Sequence, residues 1–575
     1  MRTRISVLLT MALVSAGALM AIAPTAAGAQ ALGDQGPFGG YSTGTVISTN
    51  VLTLGSTTTG AVRAAVSGNS VDSTGLGTPI TDELGQNVQP ALPAKNAYGR
   101  GTGLETGLAV PADQQADVNQ LLLSGLAEAS APPPEGVPTP ITKDIALDLP
   151  PIATASALSG EAQAIYDPNT CAIGQPISFG QGSAADLRLV GAPDAPLVGA
   201  VSPGDPTPNT VSKSQSFSYF IPNPDGSFGL VSETHQIIAP ITIANNAVTG
   251  PALTIEAAGE FILRSTATGI AGDPRNGVTY PGNPLITIKG PLGVVLLQAK
   301  LSDILSPTGL TIGVPGVVSV SLGQAPRAIG GAPGSAPEVA ADGTLAAGAV
   351  DAVGSVQLLE VAGLGVLDLR IGHMEAAAVA PAGGIHCTIP VAKTASPNPA
   401  SAGQEVTWSI SIPSDPAFFA EFFACDLVNI KATDTHSVVS GNPRFELTSA
   451  DHGGVINGDT VTWDDLGAYK RGDPPIVLTL KGRIVGGTGV VQDTADVTAT
   501  LGNCDGGVTG QAIVGQGGFE NVGLTGSVTL TGPEVKAGNL AATGGDARYL
   551  LLGGLFLLVG LDVRRRLRTR GAAKA

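Results

Sequence analysis

Large side chains are scarce in this sequence. Aromatic residues make up 4% of its 575 positions, with two tryptophans, and charged residues only 13%. That excludes a core built on a few bulky anchors. Hydrophobic residues still reach 43%, mostly Ala, Val, Leu and Ile, so wholesale disorder is excluded too, because it goes with low hydrophobicity. With 79 glycines as turn formers, the expectation is many short strands around modest cores. Basic residues are also few, 29 Lys and Arg against 46 Asp and Glu. Nucleic acid is therefore not an expected partner, since binding it relies on neutralising phosphates. The acidic balance favours solubility and repulsion from an anionic envelope. There are four cysteines and no CxxC spacing, which disfavours a metal or redox site. No HExxH or P-loop occurs. No catalytic residue, metal or cofactor is assigned, and the chain is not expected to be an enzyme.

The two ends carry clear text. Arg2 and Arg4 precede an apolar stretch from Ile5 to Ile22, then Pro24 and small residues. Ala27-Gly28-Ala29 or Ala29-Gln30-Ala31 completes a secretory signal over 1–31, with cleavage after Ala29 or Ala31. The first expected partner is the secretion machinery. At the other end Leu540-Ala541-Ala542-Thr543-Gly544 is followed by a short polar step and an apolar run. The run is Tyr549, Leu550, Leu551, Leu552, two glycines, Leu555, Phe556, Leu557, Leu558, Val559, a glycine and Leu561. Arg564, Arg565, Arg566, Arg568, Arg570 and Lys574 close the chain. The 13 apolar or Gly residues from Tyr549 to Leu561 fall short of the roughly 20 of an ordinary spanning helix. Arginines stay on the cytoplasmic side. A translocating chain would stall there as a hydrophobic helix, with Thr543-Gly544 just outside the bilayer. Outside these signals, residues 32–543 carry a net charge of −24 against −17 for the whole chain.

The three-part C-terminus resembles the cell-wall sorting signal of Gram-positive surface proteins. Ala541 stands where the commonest motif has Pro. The Leu-Ala-x-Thr-Gly form is similar to the substrates of class E sortases of high-GC actinobacteria. The resemblance implies a sortase as partner, a cut between Thr543 and Gly544, and transfer of the Thr543 carbonyl to peptidoglycan. It implies an extracellular, cell-wall-anchored location.

Between the signals the expected class is all-β. Gly39 to Leu54 reads as an exposed strand pair, and Pro111 to Leu123 as one helix. Ala131-Pro132-Pro133-Pro134 forces an extended connector. Strands are expected at Ser216–Ile221 and Phe228–Thr234, joined by the Pro224-Asp225-Gly226 turn. They continue at Leu253–Arg264, Leu285–Lys289, Val294–Leu301, Val317–Leu322, Val356–Val361 and Val366–Ile371. Their spacing argues a β-sandwich or related all-β domain over 32–386, with a division near 135–150. Leu367 to Cys387 resembles the end of the large N-terminal domain of some actinobacterial wall proteins.

After Cys387 a strand alternates Val406, Trp408, Ile410 and Ile412 inward with Thr407, Ser409 and Ser411 outward. Thr460–Trp463, Ile476–Ile484 and Asp493–Ala499 follow. In this order they resemble the conserved-repeat surface domain of bacterial wall proteins, which implies an immunoglobulin-like sandwich over 387–505. The departure is an insertion around Phe418 to Cys425. The Gly-rich 506–539 reads as a short linker, with Ser527–Leu530 its best strand, leading to the sorting signal over 540–575.

Four cysteines in an exported chain suggest disulfides and allow three connectivities. Cys171–Cys387 and Cys425–Cys504 are preferred. His386 beside Cys387 is read as a disulfide neighbour. His373 and Glu375 share a strand face with Asp368 nearby, and a solvated strand edge is expected there. Asp464-Asp465 and Arg471-Gly472-Asp473 read as ordinary turns. Lys393 on the first strand of the sandwich and an Asn or Asp near the last can form an intramolecular isopeptide bond, as in some pilin-like sandwiches. The expected function is a non-enzymatic, surface-displayed, wall-anchored protein, adhesive or structural. Its surface ligand is not readable. Two alternatives share the itinerary: a wall-attached polysaccharide hydrolase, and a pilus-like or surface-layer-like structural subunit.

Overall fold

The computed structural model describes residues 37–502 apart from 51–60, 107–124, 134, 144–146, 150–152, 169–170, 193–194, 201–210, 247–249, 315–317, 359–367 and 388, and beyond these 526–531 and 535–538. The expected helix at Pro111–Leu123 lies outside the described residues. Among them the chain is overwhelmingly strand. In the N-terminal lobe the strands that matter are β1 (Gly39–Asn50), β2 (Ala61–Asp72), β3 (Ala97–Thr106), β4 (Ala157–Ala164) and β5 (Ser178–Ala185). They continue with β6 (Val211–Pro222), β7 (Phe228–Ile237), β8 (Phe261–Ala267), β9 (Leu345–Leu358) and β10 (Asp368–Val379).

The first sheet has nine strands, with β9, β10, β1, β2 and β3 adjacent at its centre. All pairings between these five are antiparallel. β1 is thus one central, buried strand and not the exposed pair expected from its small polar residues. A second sheet carries β8, β7, β6, β5 and β4 in that order. The hairpin β6–β7 closes on Pro222 opposite Phe228, with Gly226 at φ 88°, as Pro224-Asp225-Gly226 predicts.

A third sheet extends the second. Ala153–Ala155 runs into β4 across Ser156, and β5 runs into Leu187–Ala192 across Asp186. Gly250–Ala258 runs into β8 across Gly259 and Glu260. The expected single strand Leu253–Arg264 is therefore two strands in different sheets. Asp186 at φ 50° and Gly259 at φ 116° sit on this bend line. A positive φ at Gly carries no Cβ penalty, so the chain can turn a corner there.

Apolar residues of the third sheet, including Ile241, Ile243, Ile255, Ile286 and Ile288, share one cluster with Val46, Val62, Leu104, Val350 and Ile371 of the first. Between the first and second sheets the interior changes character. Ser67 Oγ lies 2.8 Å from Ser214 Oγ and 2.7 Å from Ser216 Oγ. Asn69 Nδ2 donates to Ser178 Oγ at 2.8 Å and Ser218 Oγ at 2.7 Å. Thr234 Oγ1 donates to the Thr43 carbonyl at 3.2 Å. These side chains are fully buried, and buried polar groups are tolerated when hydrogen-bonded.

Beside this layer the two sheets nearly touch. A Cβ on Gly101 would lie 1.8 Å from the Gln181 carbonyl oxygen, and one on Gly99 2.0 Å from that of Phe179. Reciprocally, a Cβ on Gly180 would lie 2.0 Å from the Arg100 oxygen and one on Gly182 2.1 Å from that of Val66. Glycine at these positions lets backbone pack on backbone.

The C-terminal lobe contains β11 (Ala392–Ser396), β12 (Glu405–Ile412), α1 (Pro416–Phe422), β13 (Asp426–Gly441), β14 (Arg444–Ala450), β15 (Thr460–Trp463), β16 (Ile476–Gly486) and β17 (Gly489–Gly502). One sheet is ordered β11-β12-β16-β14; the other has β17, β13 and β15 adjacent. Val406, Trp408, Ile410 and Ile412 are buried, and Thr407, Ser409 and Ser411 are half-exposed, as the alternation predicts. They face Ala432, Val461, Trp463, Val497 and Ala499 across the core. Gly526–Thr531 and Val535–Gly538 both pair with β17, so part of the stretch expected as a linker belongs to the sheet.

The lobes share a core. One apolar cluster runs from Phe38 and Ile165 through Cys171 and Cys387 to Trp408. The insertion expected near Phe418–Cys425 is α1 and the turn after it. Asp415 caps α1 by accepting from the Ala417 and Phe418 amides at 3.0 and 3.2 Å. Past its end Ile173 donates its amide to the Phe422 carbonyl at 2.8 Å and accepts from Ala424 at 2.9 Å. The insertion therefore helps to dock one lobe on the other.

Candidate functional site

Cys171 and Cys387 form a buried disulfide with Cα atoms 5.6 Å apart. Cys425 is also disulfide-bonded; Cys504 lies outside the described residues. So do Ala29, Ala31, the pentapeptide Leu540 to Gly544, the apolar run and the arginines. Among the described residues no helix is long and apolar enough to cross a membrane. Asp464 and Asp465 are exposed, and Asp465 caps a turn by accepting from Gly467 at 2.8 Å. Arg471-Gly472-Asp473 is an exposed turn with Gly472 at φ 89°. Arg471 is engaged there, its amide with Asp426 and its guanidinium with the Ala420 carbonyl.

The described residues hold a buried ion cluster on the second sheet, where Glu233 meets His235 at 2.9 Å and Arg264 at 3.0 Å, and two more that include residues singled out in the sequence. The first of these two sits on the face of the nine-stranded sheet away from the second sheet. His373 and Glu375 are fully buried on β10, between β1 and β9. The expected solvated edge is wrong, because β10 is a central strand and loops cover this face. Asp368 is five positions earlier on the strand, roughly 17 Å away at the rise of an extended chain. His373 Nδ1 lies 2.7 Å from Asp351 Oδ1, and Nε2 lies 2.9 Å from Glu375 Oε1. Burial opposes a charged ring, but these carboxylates overcome it and hold the His373 pKa up at about 10. Asp351, despite its burial, is held down to about 2 by His373 and Arg327.

Arg327 spans Glu83 at 2.5 Å and Asp351 at 3.2 Å. Glu375 accepts from the Glu83 amide at 2.7 Å and from Tyr41 Oη at 3.3 Å. The cluster thus bolts the loops around residues 83 and 327 onto the sheet. A cavity of about 430 Å³ lies beside it, bordered by Glu83, Arg327, Asp351 and Arg370. Glu83, His373 and Glu375 are spaced like a ligand set for a metal. With both ring nitrogens acting as donors, however, the positive charge is supplied by the imidazolium itself.

The second cluster lies inside the C-terminal sandwich. Lys393 points from β11 toward the facing sheet, its side chain 1% exposed. Nζ donates to Asp434 Oδ2 on β13 at 2.5 Å. It also lies 2.6 Å from Asp493 Oδ2 on β17, in a contact without hydrogen-bond alignment. Both aspartates are fully buried. β13 and β17 are antiparallel neighbours, which brings the two carboxyls side by side. Burial first, and then Asp434, push the Asp493 carboxyl up to about 9.

His436 lies opposite Asp493 in register, with Nε2 3.4 Å from its Oδ2. Burial drops the His436 pKa to about 4, so the ring is neutral at pH 7. Trp408 meets it edge-on at 4.8 Å, and Phe445 stacks on it at 5.0 Å. Asp434, His436 and Asp493 are again spaced like a metal ligand set, but Lys393 Nζ already stands between the two carboxyl groups.

Sequence reading singled out Lys393, His373 and Glu375. It missed Asp351, Arg327 and Glu83, which approach only through the fold, and Asp434, one of many acidic residues on strands. A charged residue on an inward-facing strand position was the available signal: Lys393 and Asp493 both alternate with apolar positions.

Comparison with known proteins finds no family model that matches this chain and no matching curated protein.

Proposed function

We propose that the chain is a non-enzymatic surface protein, exported and then joined to the Gram-positive cell wall by a sortase acting between Thr543 and Gly544. The C-terminal sandwich serves as an immunoglobulin-like stalk, and the N-terminal lobe is the part displayed. The carrying observation is the order of pentapeptide, apolar run and arginines at the C-terminus. Two structural facts support it. The last described strand, Val535–Gly538, is paired into the sandwich, so Leu540 follows directly on a folded body. The buried acids of both clusters bind basic groups of the same chain, which suits a rigid body better than a substrate site.

The test is Thr543→Ala in the native host, followed by wall fractionation and mass spectrometry of the C-terminal peptide. The wild type should be recovered from the wall ending at Thr543, and the variant should remain with the membrane. Wild-type protein that still ends at Ala575 would refute the reading.

A further inference from the structure

We propose that Lys393 and Asp493 react with each other to form an intramolecular isopeptide bond between the first and last long strands of the C-terminal sandwich. Asp434 acts as the proton carrier. The inference rests on this cluster alone and is independent of wall anchorage.

Three ionisable side chains are packed where water does not reach. Lys393 is 4% exposed, and Asp434 and Asp493 are at 0%. An ammonium facing two carboxylates leaves one uncompensated negative charge, which a low-dielectric interior strongly disfavours. The cluster relieves this by protonating Asp493. The neutral set is then one ammonium, one carboxylate and one carboxylic acid. Moving one proton from Nζ to Asp434 removes all formal charge. What remains is an amine facing an un-ionised carboxyl.

That pair is already in place. Nζ lies 2.6 Å from Asp493 Oδ2 but is not aligned as a hydrogen-bond donor to it. Holding reacting groups at contact replaces a bimolecular encounter by a unimolecular step, an advantage that reaches about 10⁵–10⁸ M in effective concentration. The Nζ lone pair attacks Cγ of Asp493 to give a tetrahedral centre. Asp434 accepts a proton from nitrogen and delivers one to the departing hydroxyl. The C–O bond breaks, water leaves, and an Nζ–Cγ amide remains. From the starting set of ammonium, carboxylate and acid, the products are one amide, one water and a protonated Asp434, so atoms and charge balance with no activating cofactor. Trp408, His436 and Phe445 wall the site and oppose the return of water, which would reverse the step.

Placement gives the bond a use. Lys393 follows directly on the N-terminal lobe, and Asp493 lies in the last long strand among the described residues. A pull between the two ends would pass through the amide and bypass the 99 residues between them.

The test is peptide mapping of the full chain, fully reduced and alkylated, with trypsin. Reduction is required because Cys425 and Cys504 lie on the same two tryptic peptides as the amide. The expected result is that Lys393 resists cleavage and that peptide 371–431 is recovered joined to 484–536, one water lighter than their sum. Asp493→Ala and Asp434→Asn should each restore complete cleavage at Lys393. Complete cleavage at Lys393 in the wild type would overturn the proposal, and this needs no variant to fold. A branch to 432–444 instead would place the bond on Asp434 and overturn the role given to Asp493. An undiminished branched peptide in Asp434→Asn would overturn the proton-carrier role.

Discussion

Replacing Gly101 by Ala should destabilise the N-terminal lobe far more than a single methyl ordinarily does. The new Cβ would stand 1.8 Å from the Gln181 carbonyl oxygen and 2.6 Å from that of Glu161. Both atoms are backbone of the facing sheet, so no side chain can swing away. Restoring ordinary contact requires the sheets to part by roughly 1.5 Å, given carbon contact distances near 3.5 Å. Overpacking of this kind costs about 1–3 kcal/mol. The same separation would stretch the bonds from Asn69 to Ser178 and Ser218, now 2.8 and 2.7 Å. Each lost bond adds about 1 kcal/mol. The expected total is about 3–5 kcal/mol on these terms.

The assay is equilibrium urea unfolding followed by far-UV circular dichroism. Both tryptophans, Trp408 and Trp463, lie in the C-terminal lobe, so their fluorescence reports that lobe separately. Gly77→Ala is the control, since no heavy atom lies within 4 Å of a Cβ there. It should leave the midpoint unchanged or slightly raised. If Gly101→Ala unfolds with Gly77→Ala, the sheets are not in backbone contact and the packing argument fails.

Asn69→Ala should cost about 2–3 kcal/mol by removing its hydrogen bonds to the buried hydroxyls of Ser42, Ser178 and Ser218; a thermal melt within experimental error of wild type would refute it. His373 gains carboxylate partners on folding, so the stability it contributes is complete below its unfolded pKa of about 6.5. That stability is lost as pH rises toward about 10, where the folded ring titrates. The melting temperature of the wild type should therefore fall across this window, and His373→Gln should flatten the fall, with the step from His235, held up to about 9, remaining. Equal slopes in variant and wild type would sink the ion-cluster reading. Cys387→Ser opens a bridge between residues 216 apart. Chain entropy then predicts a loss of about 5 kcal/mol; a urea midpoint unchanged by the substitution would show that the apolar joint alone fixes the lobes.

Period-2 text such as Val406 to Ile412 was legible because a strand between core and water must alternate. The Pro224-Asp225-Gly226 turn was legible because its residues have few other uses. The second and third sheets were not, since a strand that bends at Gly259 reads as one continuous strand. Nor was the burial of β1, whose serines and threonines imitate a wet surface until a second polar sheet faces them. His373 looked like a solvated residue for the same reason: polarity in the sequence reports what a side chain is, not what it meets.

What the sequence determined by itself is the all-β class, the strand pattern of the C-terminal lobe and the pentapeptide, apolar run and arginines on which the proposed anchorage rests. These depend on local order: the two-residue period of a strand and the succession of pentapeptide, apolar run and arginines. Only the tertiary structure decided which charges are buried together. Asp351 meets His373, and Asp493 meets Lys393, through pairings across 22 and 100 residues of chain. Such meetings are set by sheet order and register, which no local spacing encodes.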